Sequence, residues 1–343
     1  SYSWFQSYLS NRIQYTAIDG ICSSHLPLLT GVPQGSILGP LLFLIYINDI
    51  QFAYSQAKLT LFADDTNVFI AESNLQTLFS SANLVCDKLS DWFYANRLTV
   101  NISKSAFMIF FARTSDDQYI LENKLELKLN NHQLSRVNKI KFLGLLIDDK
   151  LTFKQHIKDL TSKINNTNSM LFARKQFIPS NARRNLYLSL IYSKISFGIE
   201  IYGNAAQSIL QPLLRANNKT LRNLQNQTRF SDVKQLYISY NILPVHLLYQ
   251  LTTAKTVYKC LHCKDSISVV MYDIFNQHCF NHSVNTRLCN TKYLYLQTNA
   301  SLFKSLLYSS TLIWNSIPIN IRKSPSVNSF CKFYKSYLYQ KWQ

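Results

Sequence analysis

Two adjacent carboxylates, Asp64 and Asp65, stand between the apolar runs Leu59–Ala63 and Thr66–Ile70. Runs of this length around a polar pair read as a β-hairpin. Neighbouring anions cost energy unless a cation neutralises them, and hard divalent cations such as Mg²⁺ take oxygen ligands of this kind. Successive strand residues point to opposite faces, so the two cannot aim equally into one site. Asp64 shares its face with Phe62 and Thr60, and Asp65 begins the turn. Asp also populates plain turns freely, so the dipeptide alone does not establish a metal site.

A second segment, GVPQGSILGPLLFLIYINDI at residues 31–50, places Gly31, Gly35 and Gly39 four residues apart. That spacing leaves room for a backbone or a flat ligand to approach. Gln34 is held between Pro33 and Gly35 ahead of an apolar run. No Gly-Lys-Ser/Thr follows, so this is not a phosphate-binding P-loop. A third pattern, Cys260, Cys263, His278 and His282, falls within the spacing of a Cys₂His₂ zinc site. Cys279 intrudes beside His278, and no evident helix brings both histidines to one face; zinc is disfavoured.

The elements around these groups follow from periodicity. Residues 4–15 have helical spacing, and Ile37–Ile50 reads as a buried helix with Pro40 near its start. Residues 74–96 carry a helical apolar stripe. Ser105–Phe111, Lys124–Leu129 and Lys139–Ile147 read as strands. Asp159–Phe177 and Asn181–Ile201 read as helices broken at Pro179, and the remainder as a less regular tail with loops near Pro212, Pro244, Pro318 and Pro325. The fold class is α+β.

Composition limits the partners. The 343 residues hold 36 Lys+Arg against 18 Asp+Glu, a net charge of +18, with 47% hydrophobic residues. That much apolar sequence excludes a disordered basic tail, and the charge points to a polyanion, nucleic acid before membrane. The strongest apolar run, Leu41–Ile47, is too short to span a bilayer. No secretory signal is visible, and seven scattered cysteines read as free thiols, so the expected location is intracellular, in cytoplasm or nucleus.

The two sites together resemble a known family. GVPQGSILGPLLFLIYINDI followed by LFADDTNVF is similar to the central palm of reverse transcriptases, those of non-LTR retrotransposons of the Jockey and LINE type. The resemblance continues in order through WFYANRLTVNISKSAFMIF (92–110) and IKFLGLLIDDKLTFKQHI (140–157). NHSVNTR (281–287) and LIWNSIP (312–318) resemble C-terminal segments of the same elements.

The resemblance implies an RNA-directed DNA polymerase using two Mg²⁺ ions, an RNA template, a DNA primer or RNA–DNA duplex, and deoxynucleoside triphosphates. It implies a partial palm over 1–150, a helical basic thumb over 151–230 and a C-terminal domain over 231–343. Asp64 and Asp65 correspond to the adjacent catalytic and metal-binding aspartates, and Lys104 to a lysine beside the departing pyrophosphate. Gln34, Gly35 and Ser36 correspond to the template- and nucleotide-contacting segment. Phe142, Leu143 and Gly144 correspond to the primer grip, and Lys175, Arg183 and Arg184 to thumb cations on the nucleic-acid backbone.

The family's first catalytic aspartate precedes the segment found here at residues 4–14, so its strand would lie before Ser1. Asp19 and Asp49, the nearest spare carboxylates, do not replace it, and a fragment impaired in catalysis is expected. The competing reading is a catalytically dead, nucleic-acid-binding relic of such an element. A viral RNA-dependent RNA polymerase is disfavoured by the Pro33-Gln34-Gly35 segment and by Ala63.

Overall fold

A computed structural model describes residues 2–342 apart from 55–56, 111, 264, 266, 269–270, 274 and 276–305. It is mixed helix and small sheets, 59% helical, an α+β arrangement. The contacts divide the chain into two compact units, residues 1–138 and 139–343. Charge divides with them. The first unit holds 9 Lys+Arg and 11 Asp+Glu, and the second 27 Lys+Arg and 7 Asp+Glu, so the whole excess lies after Asn138.

The first unit runs α1 (Tyr2–Leu9), β1 (Arg12–Gln14), β2 (Ala17–Ile18), β3 (Ile21–Cys22), β4 (Leu26–Leu28), α2 (Leu38–Ile47), β5 (Lys58–Phe62), β6 (Asp65–Phe69), α3 (Leu75–Ala95), β7 (Ala106–Phe107), α4 (Thr114–Glu122), β8 (Lys128–Leu129), β9 (His132–Gln133) and β10 (Ser135–Arg136). Every ladder is two-stranded: β1 with β4, β2 with β3, β5 with β6 and β8 with β9 antiparallel, and β7 with β10 parallel. The runs 105–111 and 124–129 pair only over Ala106–Phe107 and Lys128–Leu129. Leu125, Leu127 and Ile109 turn instead to a small core around Phe79 of α3. α4 was not anticipated, although Asp116 and Asp117 in its first turn are a helix-start signal, and the Asp116 carboxylate accepts from Arg113 N–H at 2.6 Å.

The apolar run at 37–50 does form a helix, followed by a 3₁₀ turn over Asn48–Phe52, but it is not a buried one. Within α2 only Gly39 and Ile47 are buried, and Ile37 is 94% exposed. The helix is apolar on every side, and the unit covers one side alone. There Ile47 and Ile50 pack with Val85 and Leu89 of α3 and with Leu59 and Leu61 of β5.

The second unit opens with the hairpin β11 (Lys139–Phe142) and β12 (Leu145–Asp148). The helices α5 (Lys154–Ala173), α6 (Ser180–Tyr187), α7 (Ser193–Ser196), α8 (Ile199–Tyr202), α9 (Gln207–Leu224), α10 (Val233–Ser239) and α11 (Val245–His262) follow. α12 (Leu306–Asn315), α13 (Ile319–Arg322) and α14 (Val327–Trp342) close it. α5 buries Ile157, Leu160, Ile164, Asn168 and Leu171, one stripe at helical spacing, and packs on α9. A π-helical turn, Leu188–Tyr192, follows α6.

Among the described residues, the region after 205 supplies packed helices where sequence suggests a less regular tail. One core runs from Leu145 to Leu338, and Trp314, Tyr237, Tyr258, Phe330 and Tyr334 are almost fully buried in it. Several of its buried polar atoms are paired, although Tyr249 Oη and Thr253 Oγ1 find no partner among the described residues. Tyr187 Oη donates to Asn217 Oδ1, Asn217 Nδ2 to Tyr237 Oη, and Tyr237 Oη to Asn218 Oδ1, each at 2.8 Å. Periodicity is least informative in α11, where ten of 18 residues are buried and no single stripe stands out. Pro212 lies inside α9, whereas Pro244 and Pro318 stand at helix starts. Trp314 and Pro318 of LIWNSIP thus serve as core and cap, whereas NHSVNTR lies outside the described residues.

Asp148 starts this unit's helical part. Its carboxylate accepts from the backbone N–H groups of Phe153 at 2.7 Å, Thr152 at 2.9 Å and Lys150 at 3.3 Å, and from Thr152 Oγ1 at 3.2 Å. Phe153, with φ of 56°, is thereby turned into the core as α5 begins. Removing a charged acceptor from several backbone donors costs about 2–3 kcal/mol, so Asp148→Ala should lower the urea midpoint accordingly. An unchanged midpoint would deny the carboxylate this part.

Candidate active site and nucleic-acid interface

The Asp64-Asp65 hairpin forms as the apolar runs dictate, with Phe62 paired to Asp65 and only Ala63 and Asp64 in the turn. Asp64 therefore stands at the tip. Asp65 does not begin the turn; it is the first residue of β6. The register is set by Leu59 and Leu61, which must both reach the α2–α3 core. Ala63 takes φ of 51°, a left-handed conformation that costs an L-residue roughly 1–2 kcal/mol. Both carboxylates are exposed, and neither has an ion-pair or side-chain hydrogen-bond partner among the described residues.

Two unpartnered carboxylates suit a hard cation that retains water or substrate oxygens, the way Mg²⁺ is commonly held. No group of three or more metal-ligating side chains occurs among the described residues, so these two would need oxygens from elsewhere. Asp49 is exposed in the 3₁₀ turn after α2, and Asp19 sits in the β2–β3 turn with φ of 49°. Lys104 ends a 3₁₀ turn capped by Asn101 and is exposed. Its neighbour Ile102 packs on the Phe79 core, whereas the hairpin packs on the Val85–Leu89 core, so α3 carries the two on separate clusters.

The Pro33–Ser36 segment is a tight turn ahead of α2. Gly35 has φ of 79° and open space where a Cβ would stand, so glycine is required there by the turn and not by a close protein neighbour. Ser36 Oγ accepts from Tyr8 Oη at 2.7 Å and from Gly39 N–H at 3.0 Å, and donates to Pro33 O at 2.7 Å. Its hydroxyl caps α2 and ties the turn to α1. A Cβ on Gly39 would lie 3.0 Å from that oxygen, so this glycine does reflect a close approach. Gln34 is exposed at the turn.

Phe142, Leu143 and Gly144 form the tip of the β11–β12 hairpin, with Phe142 paired to Leu145. Leu143 and Gly144 have φ of 44° and 88°, the positive pair of a type I′ turn, which Asn-Gly satisfies and leucine does not. The tip is held from behind: a Cβ on Gly144 would meet the Phe197 ring at 3.0 Å, and one on Gly198 would meet Leu145 at 2.8 Å. Leu143→Asn should therefore stabilise the chain by about 1 kcal/mol, read as a higher melting temperature. A lower one would mean that the half-exposed leucine is packing rather than presented.

His156 supports the same hairpin. Its Nδ1 accepts from Leu146 N–H at 3.3 Å, which requires an unprotonated ring nitrogen. Burial pushes its pKa below 6.5, Lys163 adds to this, and Asp159 opposes it. His246 is lowered by burial alone. Above 6.5 both rings are neutral in folded and unfolded chain, and their contribution is complete. As pH falls below 6.5 the unfolded chain takes up protons first, so stability drops until the folded rings protonate. Melting temperature should fall between about pH 7 and pH 5.5, less steeply in His156→Gln, and an identical slope in that variant would remove His156 as a cause.

The cations Lys175, Arg183 and Arg184 are placed unevenly. Arg183 donates to three backbone carbonyls, from Nε to Ile178 at 3.1 Å, from Nη1 to Leu224 at 3.2 Å and from Nη2 to Lys175 at 3.5 Å. Arg184 Nε donates to Tyr240 O at 2.9 Å. The first role of both is structural. Lys175 lies 5.8 Å from the Phe172 ring centre. Lys154 and Lys158 are exposed and share one face of α5 at i, i+4 spacing. Cys260 is buried inside α11, and burial pushes its thiol up to about 11. Cys263 caps that helix, and His278 and His282 lie outside the described residues. Among the described residues no helix is long and apolar enough to cross a membrane.

Residues 1–147 match the family described as reverse transcriptase (RNA-dependent DNA polymerase). That match covers the whole of the first unit. The matched stretch includes the Asp64-Asp65 hairpin and the Pro33–Ser36 turn, and it reaches into the second unit as far as β12. The RNA-directed DNA polymerase from mobile element jockey of Drosophila melanogaster is 27% identical over 229 residues, 64% of this chain and 24% of that protein. The probable RNA-directed DNA polymerase from transposon X-element of the same fly is 28% identical over 227 residues, 63% of this chain and 24% of the relative. A retrovirus-related Pol polyprotein from the R1 element of Bradysia coprophila is 22% identical over 204 residues, 58% and 20% of the two chains. The chain spans about a quarter of the length of the first two relatives. The family match and these relatives agree in kind.

Proposed function

We propose that this chain is part of the RNA-directed DNA polymerase of a non-LTR retrotransposon, carrying the catalytic hairpin in its first unit and a nucleic-acid grip in its second. The observation that carries the reading is the exposed, unpartnered pair Asp64 and Asp65 on a tight hairpin inside the reverse transcriptase domain. In this reading Asp64 and Asp65 hold Mg²⁺, which when bound stabilises the charge that develops as a primer 3′-hydroxyl displaces pyrophosphate. Asp64, at the tip, faces the reacting phosphate, and Asp65 supports from the base of β6. Gln34, presented by the Gly35 turn, lies against template or nucleotide, and Ser36 holds that turn. Leu143 at its strained tip touches the primer. Lys104 balances the leaving pyrophosphate.

Partners follow from charge. The excess of cations in residues 139–343 supports binding of an RNA template and of the RNA–DNA duplex it becomes. The substrates are deoxynucleoside triphosphates. The test is Mg²⁺-dependent deoxynucleotide incorporation on a primed RNA, by the polypeptide that the whole reading frame encodes. Incorporation that ignores the template, or that prefers ribonucleotides, would sink the reading.

A further inference from the structure

The aromatic residues of the second unit are sorted in an unusual sense. Among the described residues its almost fully buried large rings are mostly Tyr and Trp, whereas its exposed large rings are Phe172, Phe177, Phe197, Phe230 and Phe333. Hydrophobicity alone predicts the opposite order, because the Tyr hydroxyl and the Trp N–H must find partners when buried. The two most exposed of these, Phe177 at 75% and Phe230 at 91%, lie in turns that are both tied to the C-terminal end of α9, and so to one corner. Phe177 sits in the 3₁₀ turn after α5, and Phe230 in the loop after α9.

Arg183 clamps that corner. Its guanidinium joins the carbonyls of Lys175 and Ile178, on either side of Phe177, to the carbonyl of Leu224 at the end of α9. Asn223 Nδ2 donates to Asn168 Oδ1 at 2.9 Å, so both helices end there side by side. The Phe230 loop is itself fixed. Arg222 donates to Ser231 O at 3.2 Å, and Ser231 Oγ contacts Thr228 Oγ1 at 3.0 Å and Gln227 Oε1 at 3.2 Å. Neither ring is exposed through slackness in the chain. Arg174 and Arg229 beside them are exposed and have no carboxylate partner among the described residues.

We infer that this corner is a binding site for unpaired nucleic acid, in which Phe177 and Phe230 stack on bases while Arg174, Lys175 and Arg229 hold the phosphates. Bases offer a flat π-face only when unpaired, and a duplex presents backbone to such a surface instead. Fixed rings suit stacking, because little side-chain freedom is lost on binding. The charge of the unit, with 27 cations against 7 anions, favours a polyanion over a protein partner. The inference rests on the reading of the second unit as a nucleic-acid grip, and it adds a single-strand site to the duplex contacts of that reading.

The experiment uses the whole chain and two fluorescent probes, an unpaired oligoadenylate of about 12 nucleotides and an RNA–DNA duplex of the same length. Phe177→Ala and Phe230→Ala should each weaken binding of the single strand by about 5- to 100-fold and that of the duplex by less than about twofold. Phe230→Trp should restore the single-strand affinity, and melting temperatures should be unchanged because the rings are exposed. Equal weakening of both probes, or of neither, overturns the inference. So does a dimeric wild type that either alanine variant makes monomeric, which would assign the rings to a protein contact. A wild type that binds neither probe brings down the underlying reading as well, and does so before any variant is made.

Discussion

Asp64→Asn is expected to reduce template-directed deoxynucleotide incorporation by about a thousandfold or more, with primer–template affinity unchanged. Removing one group that stabilises developing charge in a water-poor site typically costs about two to three orders of magnitude, and a metal ligand acts through a larger charge. The tip position makes the loss chemical rather than structural. Asp64 is exposed and unpartnered, and Asn suits the turn it occupies. Asp65→Asn should cost less, since Asp65 belongs to β6 and projects from the strand rather than the tip. Primer extension with saturating template separates the two variants. Equal losses in both would make the dyad symmetric and remove the distinction drawn from the hairpin register. Full activity in Asp64→Asn would remove the hairpin from the reaction.

The second large effect concerns salt. A grip formed by 6–10 phosphate contacts loses about 10³- to 10⁵-fold in duplex affinity between 50 and 200 mM salt, because displaced counterions drive the binding. Lys154 and Lys158 on the exposed face of α5 should carry part of that slope, and reversing both to Glu should reduce it by about two. Arg183 belongs to a different class. Its guanidinium is bound to three carbonyls, so Arg183→Ala should lower the melting temperature and leave the slope nearly intact. An unchanged slope in the Lys154, Lys158 double variant would move the interface off α5. A slope altered by Arg183→Ala without loss of stability would restore that residue to the interface.

The local parts of the site were legible without coordinates. Apolar runs on both sides of Asp64 and Asp65 specify a hairpin, and Pro33, Gly35 and a following apolar run specify a turn into a helix, because these are short-range effects of backbone sterics and strand alternation. The reverse transcriptase resemblance was legible for the same reason: its blocks are such local pieces in a fixed order. What misled was burial. The α2 run looks like a core helix from composition, yet Ile37, Leu41 and Ile45 are exposed, because burial depends on which partner surface exists and not on the residue's own preference.

The tertiary structure decided the roles of the polar groups. Arg183 and Lys158 are equally basic in sequence, but only coordinates separate a guanidinium bound to carbonyls from an ammonium in solvent. Ser36, Asp148 and His156 likewise became a cap, a knot at the start of α5 and a support for the β11–β12 hairpin, through partners 3 to 28 residues away. The clamp that ties the Phe177 turn to the end of α9 spans 41 residues between Arg183 and Leu224. By itself the sequence determined charge, local turns and the order of the blocks, all properties of neighbours along the chain. Which exposed group has a free hand is a property of neighbours in space, and a hydrogen-bond partner that distant leaves no periodic trace in the chain.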